Sequence, residues 1–109
     1  MKLKEVATMI KSIGLPYAYY QFKANSAPGL PYIVFYYPSN ADMHADNINY
    51  QKINSLNIEL YSENKSFLDE KKVEDVMESY GITYTKTESY LSDEKMFEVL
   101  YESEVIING

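Results

Sequence analysis

Ile48-Asn49-Tyr50-Gln51-Lys52-Ile53-Asn54-Ser55-Leu56-Asn57-Ile58-Glu59-Leu60-Tyr61 is the stretch on which the fold turns. Leu56, Ile58 and Leu60 alternate with Asn57, Glu59 and Tyr61, the period-two pattern of a strand with one buried face. Ile48 and Tyr50 share the buried parity. Ile53 does not, and Lys52 and Asn54 fall where apolar residues are expected. A β-bulge near Lys52 restores the phase. A twist that exposes the middle of the strand to a partner accounts for the same pattern, and both readings stay open at this point.

Outward from that strand, the neighbouring segments read in turn. Tyr32 to Tyr37 is uniformly apolar or aromatic, which suits a strand covered on both faces, and Pro38 ends it. Tyr17 to Phe22 is a shorter aromatic strand, with Tyr20 and Phe22 on one face and Tyr19 and Gln21 on the other. The segment Lys23–Pro31, with Asn25, Pro28 and Leu30, has loop composition, as does Pro38–Asn47, which carries Asp42, His44 and Asp46. Loops of this length commonly carry function, so Lys23, Asn25, Pro28, Leu30, Asp42, His44 and Asp46 are candidate functional positions.

Two segments have helical period. Leu3, Val6, Ile10 and Ile13 form one stripe, stopped by Gly14 and Pro16, and predict a helix over Leu3–Ile13. Ser66 caps a second, over Phe67–Tyr80, whose stripe is Val73, Val76, Met77 and Tyr80 and whose stop is Gly81. Ile82–Leu91 alternates and is rich in Thr and Tyr. Ser92–Lys95 is a turn. Met96–Ile107 reads as a strand pairing back in a hairpin, with a helix over Glu94–Glu102 as its alternative. The order α-β-β-β-α-β-β predicts an α+β fold with a mainly antiparallel sheet and two helices packed on one face.

Composition narrows the function. The chain of 109 residues fits one domain, with 46% hydrophobic and 24% charged residues, too apolar for disorder. Its net charge of −6 and lack of any basic cluster beyond Lys71-Lys72 argue against specific nucleic-acid binding and against anionic membranes. No cysteine means no disulfide, thiolate nucleophile or Cys-held zinc. Met1-Lys2-Leu3-Lys4-Glu5 lacks a signal-peptide core, and Tyr32–Tyr37 is too short to span a bilayer, so a soluble cytoplasmic protein is expected.

Chemistry is sparse. Asp42-x-His44-x-Asp46 has the donor types of a hard-cation loop, but lacks a second cluster to complete a shell and reads more simply as an exposed turn. The 4 glycines are scattered, so no phosphate loop forms, and no nucleophile–base pair stands out. No enzymatic activity, cofactor or metal is expected. The 12 Tyr and 4 Phe, with no Trp, suit half-buried strands and protein interfaces.

Several strings carry a family likeness: Gly14-Leu15-Pro16 after the first helix, Ala27-Pro28-Gly29-Leu30-Pro31-Tyr32-Ile33-Val34, Asn54-Ser55-Leu56-Asn57-Ile58-Glu59-Leu60-Tyr61, and Glu98-Val99-Leu100-Tyr101-Glu102. Together they resemble a family of small prophage proteins of Gram-positive bacteria, encoded among head–tail and tail morphogenesis genes. The likeness covers nearly the whole chain, and its motifs are structural. The element order also looks like the tail-terminator and tail-completion fold of long-tailed phages. That resemblance implies a ring, typically of about six subunits, that caps the tail tube and joins it to the head. It implies as partners the protein itself, the major tail protein and head-completion or connector proteins. It implies the host cytoplasm during assembly and then the virion. A ring needs two different patches on each subunit. The expected patch is the long strand acting as an exposed edge, with Tyr50, Lys52, Ile53, Asn54 and Tyr61 at the interface, and an acidic face lining a lumen that passes DNA. The competing expectation is a monomeric acidic interaction module, an adaptor or inhibitor.

Overall fold

Residues 53–62 do form the long strand, but it lies inside the sheet. The structure, a computed structural model, describes residues 1–24, 26–38 and 53–108. The elements are α1 (Leu3–Ser12), β1 (Tyr17–Tyr19), β2 (Tyr32–Tyr36), β3 (Ile53–Ser62), α2 (Phe67–Ser79), β4 (Thr85–Leu91) and β5 (Met96–Ile107). They make an α+β fold around one 5-stranded sheet, ordered β1-β2-β3-β5-β4. The sheet is mixed rather than mainly antiparallel: β1 runs parallel to β2, and the other three pairings are antiparallel. The connection after β1 carries the chain back to the same end of the sheet before β2 starts, which a simple meander would not do. Residues 96–107 are strand, so the helical alternative for Glu94–Glu102 is not adopted.

Local chemistry sets the helix ends. The Lys2 N–H donates to Glu5 Oε1 at 2.8 Å, which satisfies an otherwise unpaired donor at the start of α1. Gly14, at φ +88°, turns the chain out of that helix. The Asp69 N–H donates to Ser66 Oγ at 3.2 Å as the N-cap of α2. At its other end the Gly81 N–H donates to Glu78 O at 2.9 Å and the Ile82 N–H to Met77 O at 3.0 Å. This Schellman closure needs the positive φ of Gly81.

Both helices pack on one face of the sheet, as expected. Val6, Met9 and Ile10 of α1 and Val73 and Met77 of α2 share one cluster with Ile33 and Phe35 of β2, Leu56, Ile58 and Leu60 of β3, and Val99 and Tyr101 of β5. The strand residues in this cluster are of one parity, and each is worth roughly 1.5–3 kcal/mol of transfer free energy when fully buried. Ile53 has the opposite parity to Leu56 yet is only 2% exposed. Its burial follows from a register slip: Ile53 lies opposite Ile107 and Ser55 opposite Glu104, so two steps on β3 match three on β5. The irregularity falls at Ile53–Ser55. Lys52, where a bulge was expected, lies outside the described residues.

Candidate functional site

The second face of the sheet carries no helix among the described residues, and its side chains follow from the same alternation. Tyr32, Val34 and Tyr36 of β2, Asn57, Glu59 and Tyr61 of β3, and Glu98 and Leu100 of β5 have the parity opposite to the core. Cross-strand register sets Tyr32 against Tyr61, and Tyr61 against Glu98. The outcome is a linked row of phenols and carboxylates. The Tyr36 hydroxyl donates to Glu59 Oε2 at 2.7 Å. The Tyr61 hydroxyl lies 2.5 Å from Glu59 Oε1 and 3.1 Å from Glu98 Oε2. Ser89 Oγ donates to Glu98 Oε1 at 3.2 Å. A phenol has one proton, so Tyr61 donates chiefly along the shorter contact to Glu59, with Glu98 within reach of the same hydroxyl proton. Burial pushes the Tyr61 hydroxyl far above its ordinary pKa, and the hydrogen bond to Glu59 and the charges of Glu59 and Glu98 push it further. The phenol therefore stays neutral and acts as a donor.

Aromatic rings border the row. Phe22 meets Tyr32 edge-on at 5.1 Å between ring centres, and Tyr32 meets Tyr61 at 5.4 Å. Tyr20, held at φ +69°, lies 6.1 Å from Tyr36. Tyr20, Phe22, Tyr32, Tyr61 and Glu59 line a cavity of about 270 Å³.

The helix-side charges are arranged differently. Glu70 is 2% exposed and is held by Lys65 at 2.9 Å and Lys86 at 2.6 Å. Lys86 also reaches Glu74 at 2.7 Å, and the Tyr101 hydroxyl donates to Glu74 at 2.8 Å. Lys65 further pairs with Glu88. Every ion pair among the described residues involves α2 or β4 on this side, and none reaches Glu59 or Glu98.

The expected assembly patch needs correction. β3 cannot add a neighbour's strand, because β2 and β5 already flank it. Ile53 sits in the core instead of at an interface, and Tyr61 is half-buried in the phenol–carboxylate row. Asn54 is exposed beside Ser55 and Glu104. Tyr50 and Lys52 lie outside the described residues. Among the described residues the open edges are β1 and β4. Tyr17 and Tyr19 of β1 are 41% and 51% exposed, and residues 85–90 of β4 are exposed throughout.

Of the loop candidates, Lys23 is exposed at the rim of the cavity, and Pro28 and Leu30 are half-buried. Asn25, Asp42, His44 and Asp46 lie outside the described residues. Among the described residues no group of three or more His, Asp or Glu is placed to hold a metal ion. No helix of the described residues is long and apolar enough to cross a membrane. Sequence reasoning missed Tyr20, Phe22, Tyr32, Glu59 and Glu98 as a group. Strand parity put several of them on one face, but only the register joins them. Comparison with protein-family models, with curated proteins and with solved structures finds no match for this chain.

Proposed function

We propose that the protein is a structural subunit of a phage or prophage head–tail junction, a tail terminator or connector whose copies close into a ring that caps the tail tube. One observation carries the reading: the two open edges of the sheet run in opposite directions. β1 is parallel to β2, and three successive antiparallel pairings then lead from β2 to β4. The β1 edge of one copy therefore meets the β4 edge of the next as an antiparallel pair, with all helices on the same side. Such head-to-tail strand addition is a heterologous contact, which closes into a ring when the rotation per subunit divides a full turn. The likeness to prophage tail-morphogenesis proteins points the same way, and the acidic charge of −6 suits a lumen that must let DNA pass without holding it.

The experiment is native mass by light scattering over a concentration series, alone and with assembled tail tubes. A discrete species of about six subunits is expected. A monomer under every condition replaces this reading with the monomeric acidic interaction module.

A further inference from the structure

The cavity on the sheet face opposite α1 and α2 combines three properties. Its wall is aromatic, with Phe22, Tyr32 and Tyr61 in a continuous chain of ring contacts and Tyr20 beside them. Its acidic group, Glu59, takes hydroxyl donors from Tyr36 and Tyr61 but no cation among the described residues. At about 270 Å³ it falls below the roughly 300–1,000 Å³ of pockets that enclose a whole drug-sized ligand.

We propose that this cavity takes the cationic side chain, lysine or arginine, of a partner protein. Aromatic rings attract a cation through their negative faces, and the attraction grows as water is excluded. Glu59 adds a full negative charge, and Glu98 a second one on the other side of the Tyr61 hydroxyl. Glu70 differs: that carboxylate is balanced by two lysines of its own chain, whereas among the described residues the Glu59–Glu98 pair is met only by hydroxyls. Each Glu59 oxygen accepts one phenol and keeps lone-pair capacity for an N–H donor. A lysine or arginine head uses that capacity, and a quaternary ammonium cannot. An apolar side chain would cover the carboxylate without compensating its lost hydration. Lys23, on the rim, is exposed and makes no ion pair among the described residues, so it competes weakly for the same charge. The inference does not rest on the ring.

The test is an NMR titration of the full chain with N-acetyl-arginine amide and N-acetyl-lysine amide, set against uncharged N-acetyl-norleucine amide and choline. Saturable shifts are expected at Phe22, Tyr32, Glu59 and Tyr61 with the two cationic amides. Binding should weaken by about tenfold or more for norleucine amide and in Glu59→Gln, the scale of a lost charge contact in a partly desolvated site. Phe22→Ala serves as the second variant should Glu59→Gln fail to fold, and it should weaken binding likewise. Lys23→Gln should tighten it. No saturable shift, equal binding of norleucine amide, tighter binding of choline, or weaker binding in Lys23→Gln would each overturn the proposal.

Discussion

The Lys86 ammonium on β4 stands 2.6 Å from a carboxylate oxygen of Glu70 on α2, and that carboxylate is only 3% exposed. The pair ties the sheet's outer hairpin to the helix layer. Lys86→Met leaves Glu70 with Lys65 as its sole cation among the described residues. Losing one partner of a fully buried pair costs about 3–5 kcal/mol. With Lys65 still in place the expected loss is about 1–3 kcal/mol in urea unfolding. Lys71→Met, which breaks the exposed Lys71–Asp75 contact at 2.8 Å, should leave the urea midpoint essentially unchanged, because solvent screens that pair. Equal losses would mean that Glu70 is solvated and the tie is not made.

The same group sets an acid limit. Burial alone would raise the Glu70 carboxyl, but the hydrogen bonds from Lys86 and Lys65, with their charges, outweigh it and hold the group below its ordinary 4.5. A carboxyl depressed in the folded state adds stability that is present above the unfolded value and lost as pH falls through the folded one. The urea midpoint should therefore decline from about pH 4.5 downward, and Glu70→Gln should flatten that part of the curve. An unchanged slope in Glu70→Gln would move the acid sensitivity to another carboxylate.

At the alkaline end the phenols act in the opposite sense. Burial first, then the hydrogen bond to Glu59, raises Tyr61 well above its ordinary 10.0, and burial with the Glu74 bond does the same for Tyr101. A raised group contributes stability that is complete below its unfolded value and is lost as pH rises beyond it. Unfolding free energy should fall above about pH 10, and tyrosinate absorbance of the native protein should lag that of the unfolded chain. Tyr61→Phe should reduce both effects. Matching curves for Tyr61→Phe and the parent would show that the hydroxyl is not held between Glu59 and Glu98.

Ile106 and Ile107 give a direct check on the register of β5. Ile107 is fully buried opposite Ile53, while Ile106 is 70% exposed. Ile107→Ala should cost about 2–5 kcal/mol, the range for removing a buried isoleucine side chain. Ile106→Ala should stay within about 0.5 kcal/mol of the parent. Reversed costs would place the slip elsewhere and turn the end of β5 over.

These neighbours also show what a sequence can and cannot convey. The helix ends at Gly14, Ser66 and Gly81 were legible because caps and stops act within a few residues. The strand faces were legible because alternation is local, and the misfit of Ile53 correctly signalled an irregular register. Strand neighbours were not. Period two says which face a residue takes and nothing about which strand lies beside it. The parallel return of β1 against β2 and the interior place of β3 depend on long-range pairing, which alternation along a single strand does not encode. The phenol–carboxylate row was half legible for the same reason. Glu59 and Tyr61 share a face by parity, but Glu98 joins them only through the pairing of β3 with β5.

The ring reading makes a prediction that separates the two edges. Lysine on an open edge strand opposes strand addition. Thr87 lies on β4 opposite Leu100, and Tyr17 lies on β1 opposite Ile33. Thr87→Lys blocks one edge and Tyr17→Lys the other, and each should convert the assembly to monomers while shifting monomer stability by no more than about 0.5 kcal/mol. In a head-to-tail ring each variant keeps one working edge, and the two working edges are different. An equal mixture of the variants should then form dimers and stop there, because the dimer presents only blocked edges at its ends. Light scattering on each variant and on the mixture reads this out. A ring that survives Thr87→Lys, or a mixture that stays monomeric, would remove strand addition between β1 and β4 as the contact that builds it.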